Sequence, residues 1–330
     1  MYPHSPDVAV RETMDNGFSR GYGLHFQPSE EYWLDCHNHL EKLTNREQIA
    51  AKLDQWFARL DAYRLGKVLV FCTEREAFPV YGEISKQDPR FGWLVRVPHD
   101  RPDTELFEDA VAHGAVGLKL HNAPIMRGEA DHRIWLNEDW AKMFEMAELR
   151  GLPVLWHITQ RHSVSPYHGG GEFAYWKEGW AKGVTFTNED LLDVSLEILR
   201  RYPKLKLVGA HQIHLGLDRL SQLFDEYENL FIDSSCGFFL RWADTFYEED
   251  RVVLRNFFDK YQDRILFGSD TALATEAVDE YLVQSFLCHA RFVNQLRLEY
   301  DVLQKVAHRN AERVFGLEPI KPAQRGYTRP

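Results

Sequence analysis

The stretch YWLDCHNHL, residues 32–40, is the first of eight short apolar runs rich in strand-forming side chains. The other seven are GKVLVFCT (66–73), FGWLVRVP (91–98), AVGLKLH (115–121), LPVLWHIT (152–159), LKLVGAH (205–211), LFIDSSC (230–236) and RILFGSD (264–270). Segments of helical spacing separate them, and the first begins with Thr44 and Glu47, a capping-box pattern. This alternation predicts parallel β/α units, and eight of them predict a (β/α)8 TIM barrel of the α/β class.

An open doubly wound sheet is the competing architecture, but no glycine-rich dinucleotide or phosphate loop follows the first run. The chain has no linker or low-complexity tract, so we predict one barrel domain over residues 31–317. An irregular lead-in over 1–30 precedes it, a pair of helices from about residue 276 closes it, and a tail over 318–330 follows.

One connection, residues 160–187 after the fifth run, is long and lacks a helical period. Such insertions in compact domains are usually functional or disordered, and the aromatic content here disfavours disorder. The three glycines at 169–171 suit the hinge of a lid over the strand ends. A surface excursion or a subunit contact in a homo-oligomer is the alternative.

Composition indicates which kinds of binding partner and which cellular compartment to expect. The chain has 39 basic and 50 acidic residues and a formal net charge of −11, which argues against nucleic acids and anionic membranes as main partners. No apolar run approaches the roughly 18 residues of a spanning helix, and the first 20 residues have no signal-peptide core. The four cysteines show no paired spacing, which predicts reduced thiols in a cytoplasmic protein. The partner we expect is a small-molecule substrate.

Polar side chains stand at the carboxyl ends of five of the predicted strands. They are His37, His39, Lys119, His121, His157, His211 and Asp270. A parallel barrel brings these ends to one face, where active sites are built. Each residue alone also fits an ordinary hydrogen-bonded role, but imidazoles and a carboxylate together suit Zn²⁺ or a similar divalent ion. Strict alternation along the first strand places His37 and His39 on one face with Asp35, which could brace one of them, and turns Cys36 and Asn38 toward the helices.

The order of these motifs resembles the amidohydrolase superfamily of metal-dependent TIM barrels. The phrases LDCHNHL, GAVGLKLHN, PVLWHI, LVGAH, ILFGSD and NAERVFGL are similar to the branch that holds 2-pyrone-dicarboxylate lactonases and aminocarboxymuconate-semialdehyde decarboxylase-like enzymes. The resemblance spans residues 33–317. It implies that four residues bind one metal ion: His37, His39, His157 and Asp270.

The resemblance also implies roles for His211 and Lys119. His211 is a second-metal ligand or a catalytic acid/base, and His214 competes for that role or contacts substrate. Lys119 is either carboxylated, bridging two metals, or remains cationic and binds an anionic part of the substrate together with His121. We therefore expect one divalent ion, Zn²⁺ or another such as Mn²⁺, or two ions if Lys119 is carboxylated.

The implied reaction is hydrolysis of a C–N or C–O bond in an amide, cyclic amide, lactone or ester of a small anionic molecule. The metal lowers the pKa of bound water from about 15.7 toward 7, and Asp270 moves the proton to the leaving group. Four arginines in or near strand-end loops are candidates for binding the substrate carboxylate, with surface salt bridges as the alternative: Arg75, Arg96, Arg161 and Arg241.

Two other functions stay open. The first is a metal-dependent, non-oxidative decarboxylase of an unsaturated or aromatic carboxylic acid, in which His211 or an activated water protonates the carbon. The second is a catalytically inactive barrel used for binding, which predicts that no metal is bound.

Overall fold

Eight parallel strands form the centre of the computed structural model, which describes residues 32–40, 42–160, 163–165, 169–170, 177–235, 248–273, 278 and 280–320. The strands β1–β8 are Trp33–Asn38, Leu65–Cys72, Phe91–Arg96, Leu118–His121, Val154–His157, Leu207–Gly209, Leu230–Asp233 and Ile265–Leu266. Each strand pairs with the next in chain order. The segment after β8 returns to β1, where Cys36 N donates to Phe267 O at 3.1 Å and His39 N donates to Thr271 O at 2.8 Å. The sheet is therefore a nearly closed barrel, and the predicted TIM-barrel fold is confirmed.

Helices alternate with the strands along the chain. The helices α1–α12 are Arg46–Leu60, Phe78–Gln87, Thr104–Ala112, Ala123–Met126, Glu138–Leu149, Lys177–Ala181, Asn188–Arg201, Leu217–Glu226, Glu248–Lys260, Glu280–Gln295, Tyr300–Gln304 and Asn310–Phe315. A π-helical turn, Lys305–Arg309, joins α11 to α12. The helix α10 and the combined α11–α12 segment are the two closing helices predicted from about residue 276.

The start of α1 differs from the capping-box prediction by one residue. Asn45 is the N-cap, and its side-chain oxygen accepts from Gln48 N at 3.1 Å. Asparagine is a better N-cap than threonine, so the box predicted at Thr44 and Glu47 is wrong.

Alternation of side chains along the strands separates two apolar layers. Residues such as Trp93 and Trp156 pack with the helices in the outer layer. Residues such as Leu69, Leu94 and Leu155 fill the barrel interior. The polar residues predicted for the site lie beyond these layers, at or near the carboxyl ends of the strands.

Cys36 faces the barrel interior. Tyr32, Leu34 and Cys36 all belong to the interior cluster, whereas Trp33 packs in the outer layer. Alternation along β1 therefore turns Cys36 inward, and the prediction that it faces the helices is wrong. An extra residue follows, since three residue steps from Asp35 to Asn38 match two steps along β2, from Val68 to Val70.

Within the long connection after β5, the structure describes an antiparallel pair, Ser163–Ser165 with Gly169–Gly170, and the helix α6. Several predicted features lie outside the described residues: the rest of the predicted lid, the lead-in over 1–30, most of the tail, Arg161 and Arg241. Among the helices of the described ranges, none combines the length and apolar character needed to cross a membrane.

Candidate metal centre

The ends of β1 and β8 bring two histidines against one carboxylate. His37 Nε2 lies 3.2 Å from Asp270 Oδ1, and His39 Nε2 lies 2.9 Å from the same oxygen. Asp270 has a positive φ of 54°, which turns its carboxylate after the strand has ended. The structure thus brings three of the four predicted metal ligands together.

The chemistry of this trio fits a divalent ion. The two imidazole nitrogens and the carboxylate oxygen lie within 4.8 Å of one another. Burial, with Lys119 nearby, lowers the pKa of His37, which keeps its imidazole neutral as a ligand must be. Burial alone would raise the pKa of Asp270, but His37, His211 and a hydrogen bond from His39 hold it well below its usual value. His39 is 25% and Asp270 13% exposed, so the trio stays reachable from outside, as a catalytic metal site requires.

Asp233, at the end of β7, is a fully buried residue of the site that the sequence analysis missed. Its Oδ2 lies 2.8 Å from His37 Nδ1. Its Oδ1 accepts from the backbone N–H groups of His211 at 2.9 Å and Ser235 at 3.1 Å, and from Ser235 Oγ at 2.5 Å. Burial raises the pKa of Asp233, but His37 and these hydrogen bonds together outweigh burial, so the pKa is lowered overall. The signal was present in the sequence, because the seventh run LFIDSSC has a carboxylate directly after its apolar residues, and the eighth run RILFGSD also carries one near its end.

Asp35 does not brace a histidine ring, contrary to the prediction. Its Oδ1 accepts from Ser269 N at 2.9 Å, and its Oδ2 accepts from Ser269 Oγ at 2.5 Å. Leu34 and Cys36 on either side of Asp35 face the interior, so alternation turns this carboxylate to the other face, where it binds the segment after β8. Burial raises the pKa of Asp35 to about 7.

A second group of donors shares His37 with the first. It consists of His37, His211 and Asp233, all buried. In this group Asp233 contacts Nδ1 of His37, whereas in the first group Asp270 lies next to Nε2 of the same ring. One ring nitrogen can thus face an ion while Asp233 holds the other, which makes the first group the better candidate for holding an ion.

A strained turn carries His211 and His214. Residues 211–214 have positive φ values of 58°, 54°, 55° and 53°, which cost non-glycine residues about 1–3 kcal/mol each. Thr159 Oγ1 donates to Ile213 O at 2.5 Å, and Gln212 Nε2 donates to the carbonyl oxygens of Asp233 and Ser235 at 3.0 Å each. The turn also needs Gly209, because a Cβ there would lie 2.3 Å from Ile213 Cγ1. Strain of this kind concentrates at functional sites.

Four imidazoles form a row beside the first group. Ring centroids are 4.2 Å apart for His121 and His157, 4.6 Å for His157 and His211, and 5.3 Å for His211 and His214. Burial lowers the pKa values of His121, His157 and His211 well below the usual range, which keeps them neutral. His157 Nε2 lies 3.0 Å from Gln160 Oε1. The structure therefore places the predicted fourth ligand, His157, in this row and not in the trio.

Lys119 is fully buried at the site. Its Nζ lies 3.1 Å from His37 Nε2 and 4.8 Å from the centroid of the Phe71 ring. Arg96 on β3 is its register partner, and side chains of paired positions in neighbouring strands share a face. Two of the predicted cations thus stand side by side near the trio.

A pocket of about 570 Å³ opens at the ends of β2, β3 and β4. Its lining residues are Lys42, Thr73, Glu74, Arg96, Val97, Pro98, His99, Asp100, His121, Pro124 and Glu129. His121 belongs both to the pocket and to the row of imidazoles, so the two spaces adjoin. Arg75 lies elsewhere: its Nε donates to Asp109 Oδ2 on α3 at 2.7 Å, and its side chain is 51% exposed.

The model of the amidohydrolase family matches residues 79–317. No curated protein matches the chain. A TIM-barrel protein from Bordetella bronchiseptica is similar in structure, with 13% identity, a TM-score of 0.53 and coverage of 87% of this chain and 99% of that one. The 2,6-dihydroxybenzoate decarboxylase from Rhizobium is 14% identical, with a TM-score of 0.53 and coverage of 87% of this chain and 99% of that one. The L-hydantoinase from Arthrobacter aurescens is 14% identical, with a TM-score of 0.51 and coverage of 88% of this chain and 72% of that one. At these identities the similarity establishes the shared fold.

Proposed function

Because this chain belongs to the amidohydrolase family, we propose that it is a metal-dependent hydrolase of a C–N or C–O bond in a small anionic molecule. The bond is that of an amide, cyclic amide, lactone or ester. The observation that carries the proposal is the convergence of His37 Nε2 and His39 Nε2 on Asp270 Oδ1. This trio stands at the carboxyl ends of the barrel strands, beside a pocket large enough for a small substrate.

The trio would hold one divalent ion, such as Zn²⁺ or Mn²⁺. When bound, the ion supplies a water acidified toward neutral pH and an electrophile for the substrate carbonyl. Asp270 is ionised and accepts the proton of the attacking water, then returns it to the leaving nitrogen or oxygen. His211, a neutral and buried imidazole, is placed to donate to the oxygen that becomes negative.

Arg96 and Lys119 support an anionic substrate. They are register partners on β3 and β4, and His121 follows two residues later on the same face. The pocket also carries Glu74 and Asp100. Attraction of a carboxylate therefore depends on the local pair of cations and not on the net charge of the pocket.

Arg96→Gln is expected to raise KM for the anionic substrate roughly 10- to 100-fold, the equivalent of losing a charged hydrogen bond of about 1.5–3 kcal/mol. The value of kcat should change little, because Arg96 is assigned to binding. Arg75→Gln is the matched control, since it removes an arginine that pairs with Asp109 on the surface. Steady-state kinetics on both variants test the assignment, and equal effects on KM would contradict it.

A non-oxidative decarboxylase is the second candidate. It is favoured by His211, whose Nδ1 lies 3.0 Å from Ser235 Oγ in a buried, neutral setting and which could deliver a proton to carbon. The C–C bond to the carboxylate would break, carbon dioxide would leave, and the electron pair left on carbon would take that proton. The fold shared with 2,6-dihydroxybenzoate decarboxylase agrees with this candidate.

A substrate panel separates the two functions. Metal-loaded protein is incubated with lactones, cyclic amides, linear amides and unsaturated or aromatic carboxylic acids, and products are followed by mass spectrometry and by carbon dioxide detection. We expect a product that has gained one water and no carbon dioxide release. Carbon dioxide release would instead establish the second candidate. A wild-type protein that binds no divalent ion in elemental analysis or titration would overturn both.

A further inference from the structure

We propose that Asp233 is a positioning residue that sets the tautomer of His37 for metal binding and at the same time holds His211 in place. The inference rests on the proposed metal site. Its basis is that the two carboxylate oxygens of Asp233 have separate partners, one on the ring of His37 and one on the segment that carries His211.

The neighbours of His37 select a single tautomer. An ionised carboxylate only accepts hydrogen bonds, so the contact of 2.8 Å to Asp233 Oδ2 requires a proton on Nδ1. A lysine ammonium only donates, so the contact of 3.1 Å to Lys119 Nζ requires a lone pair on Nε2. Asp270 Oδ1 also lies 3.2 Å from Nε2, but it is farther from the ring than Asp233 Oδ2 and faces His39 Nε2 at 2.9 Å. Ser235 Oγ lies 3.3 Å from Nδ1 and donates its own proton to Asp233 Oδ1. The shorter carboxylate contact and Lys119 therefore place the proton on Nδ1 and leave Nε2 unprotonated. The ring is therefore prepared for an ion on the side of the trio.

The other oxygen of Asp233 holds the strained turn. Oδ1 accepts from His211 N at 2.9 Å, from Ser235 N at 3.1 Å and from Ser235 Oγ at 2.5 Å. Ser235 Oγ also lies 3.0 Å from His211 Nδ1. The backbone of residue 211, with φ of 58°, is thus tied to the same carboxylate that orients His37. One side chain couples the metal ligand on β1 to the imidazole after β6.

The isosteric change Asp233→Asn separates these two tasks. Three donors meet at the Oδ1 position, so the amide oxygen of asparagine belongs there and the amide nitrogen faces His37 Nδ1. The reverse orientation would set an amide N–H against the backbone N–H groups of His211 and Ser235 and give up both of those hydrogen bonds. An amide N–H at Nδ1 demands a lone pair there, which moves the proton of His37 to Nε2 and removes the electron pair that would bind the ion.

The test uses metal titration of the full-length, metal-free protein with Co²⁺ or Zn²⁺. Asp233→Asn is expected to lower the affinity roughly 10- to 100-fold, the range for lost outer-shell partners, while the melting temperature shows that the barrel remains folded. Asp35→Asn is the matched control: it changes another fully buried carboxylate, which accepts from Ser269 and from the backbone N–H of His37 but contacts no imidazole ring. Its metal affinity should stay close to that of the wild type.

Long-range ¹H–¹⁵N spectra of the histidine rings provide a second measurement that a general loss of stability would not reproduce. We expect His37 to carry its proton on Nδ1 in the metal-free wild type and on Nε2 in Asp233→Asn. Ser235→Ala keeps the contact between Asp233 and His37 but removes the hydroxyl that lies 3.0 Å from His211 Nδ1 and 3.3 Å from His37 Nδ1. It should change the His211 signals and lower metal affinity less than Asp233→Asn does.

Three results would overturn the inference: wild-type metal affinity in Asp233→Asn, an equal loss in Asp35→Asn, or an Nε2-protonated His37 in the wild type. The last measurement needs no variant, so it decides the question even where Asp233→Asn fails to fold. If the wild type binds no metal, the proposed function fails. The tautomer of His37 in that same sample still tests the role of Asp233.

Discussion

His39→Ala is expected to lower the affinity for the divalent ion by more than about 100-fold, beyond the upper end of what an outer-shell partner contributes. The reason is that His39 supplies one of only three donors in the trio, and its Nε2 lies 2.9 Å from Asp270 Oδ1. Turnover should fall to background. His39 is a cleaner target than His37, because the loss of His37 would also remove a partner of Asp233 and Lys119.

Metal content of the purified variant and competition with a chelator measure this effect. His113→Ala is the control, because His113 Nδ1 also stands 3.3 Å from a carboxylate, Asp109 Oδ1, but on the outside of the barrel. It should bind the ion as the wild type does. Full metal occupancy in His39→Ala at matched free-metal concentration would show that the trio is not the metal site.

Asp270→Asn is expected to retain the ion and to lose about 10²- to 10⁴-fold in kcat, the contribution of a positioned proton-transfer group. The amide oxygen can still face the ion, and the two imidazoles are unchanged. Asparagine also tolerates the positive φ of 54° at this position better than most residues. The substitution thus removes the basic oxygen with little change in backbone conformation.

The control for Asp270→Asn is Asp263→Asn, a neighbouring surface carboxylate that pairs with Lys305 at 3.1 Å and is 60% exposed. Its kcat and metal content should match the wild type. Metal content separates the two roles of Asp270, since a loss of the ion in Asp270→Asn would make it chiefly a ligand. A wild-type rate in Asp270→Asn would exclude its part in proton transfer.

The eight strands could be predicted from the sequence because each depends on a local pattern. A short apolar run followed by a helical period is visible within about 30 residues of chain, and parallel β/α units place all strand ends on one face. The positions of His37, His39 and Asp270 followed from this rule alone, although 231 residues separate the last two. The roles of Arg75 and Arg96 could not be distinguished, because both follow strands and only the packed structure shows which one meets a surface partner.

The local errors have separate physical causes. The prediction of a bracing carboxylate at Asp35 placed it on the same face as His37, but Leu34 and Cys36 on either side of it face the interior, and the extra residue before Asn38 brings His37 to the interior as well. A bulge depends on how the neighbouring strand pairs, which a single strand does not encode. The N-cap shift from Thr44 to Asn45 arose because adjacent residues both had capping side chains.

By itself, the sequence determined the barrel, its order of strands and the strand-end positions of the histidines and Asp270, because these depend on periodicity and chain topology. Only the tertiary structure decided how those groups are used. It placed Asp233 between His37 and His211, set His157 in the row of imidazoles, and folded residues 211–214 into a left-handed turn. These features depend on hydrogen bonds between side chains from different strands, and such contacts exist only after the barrel has closed.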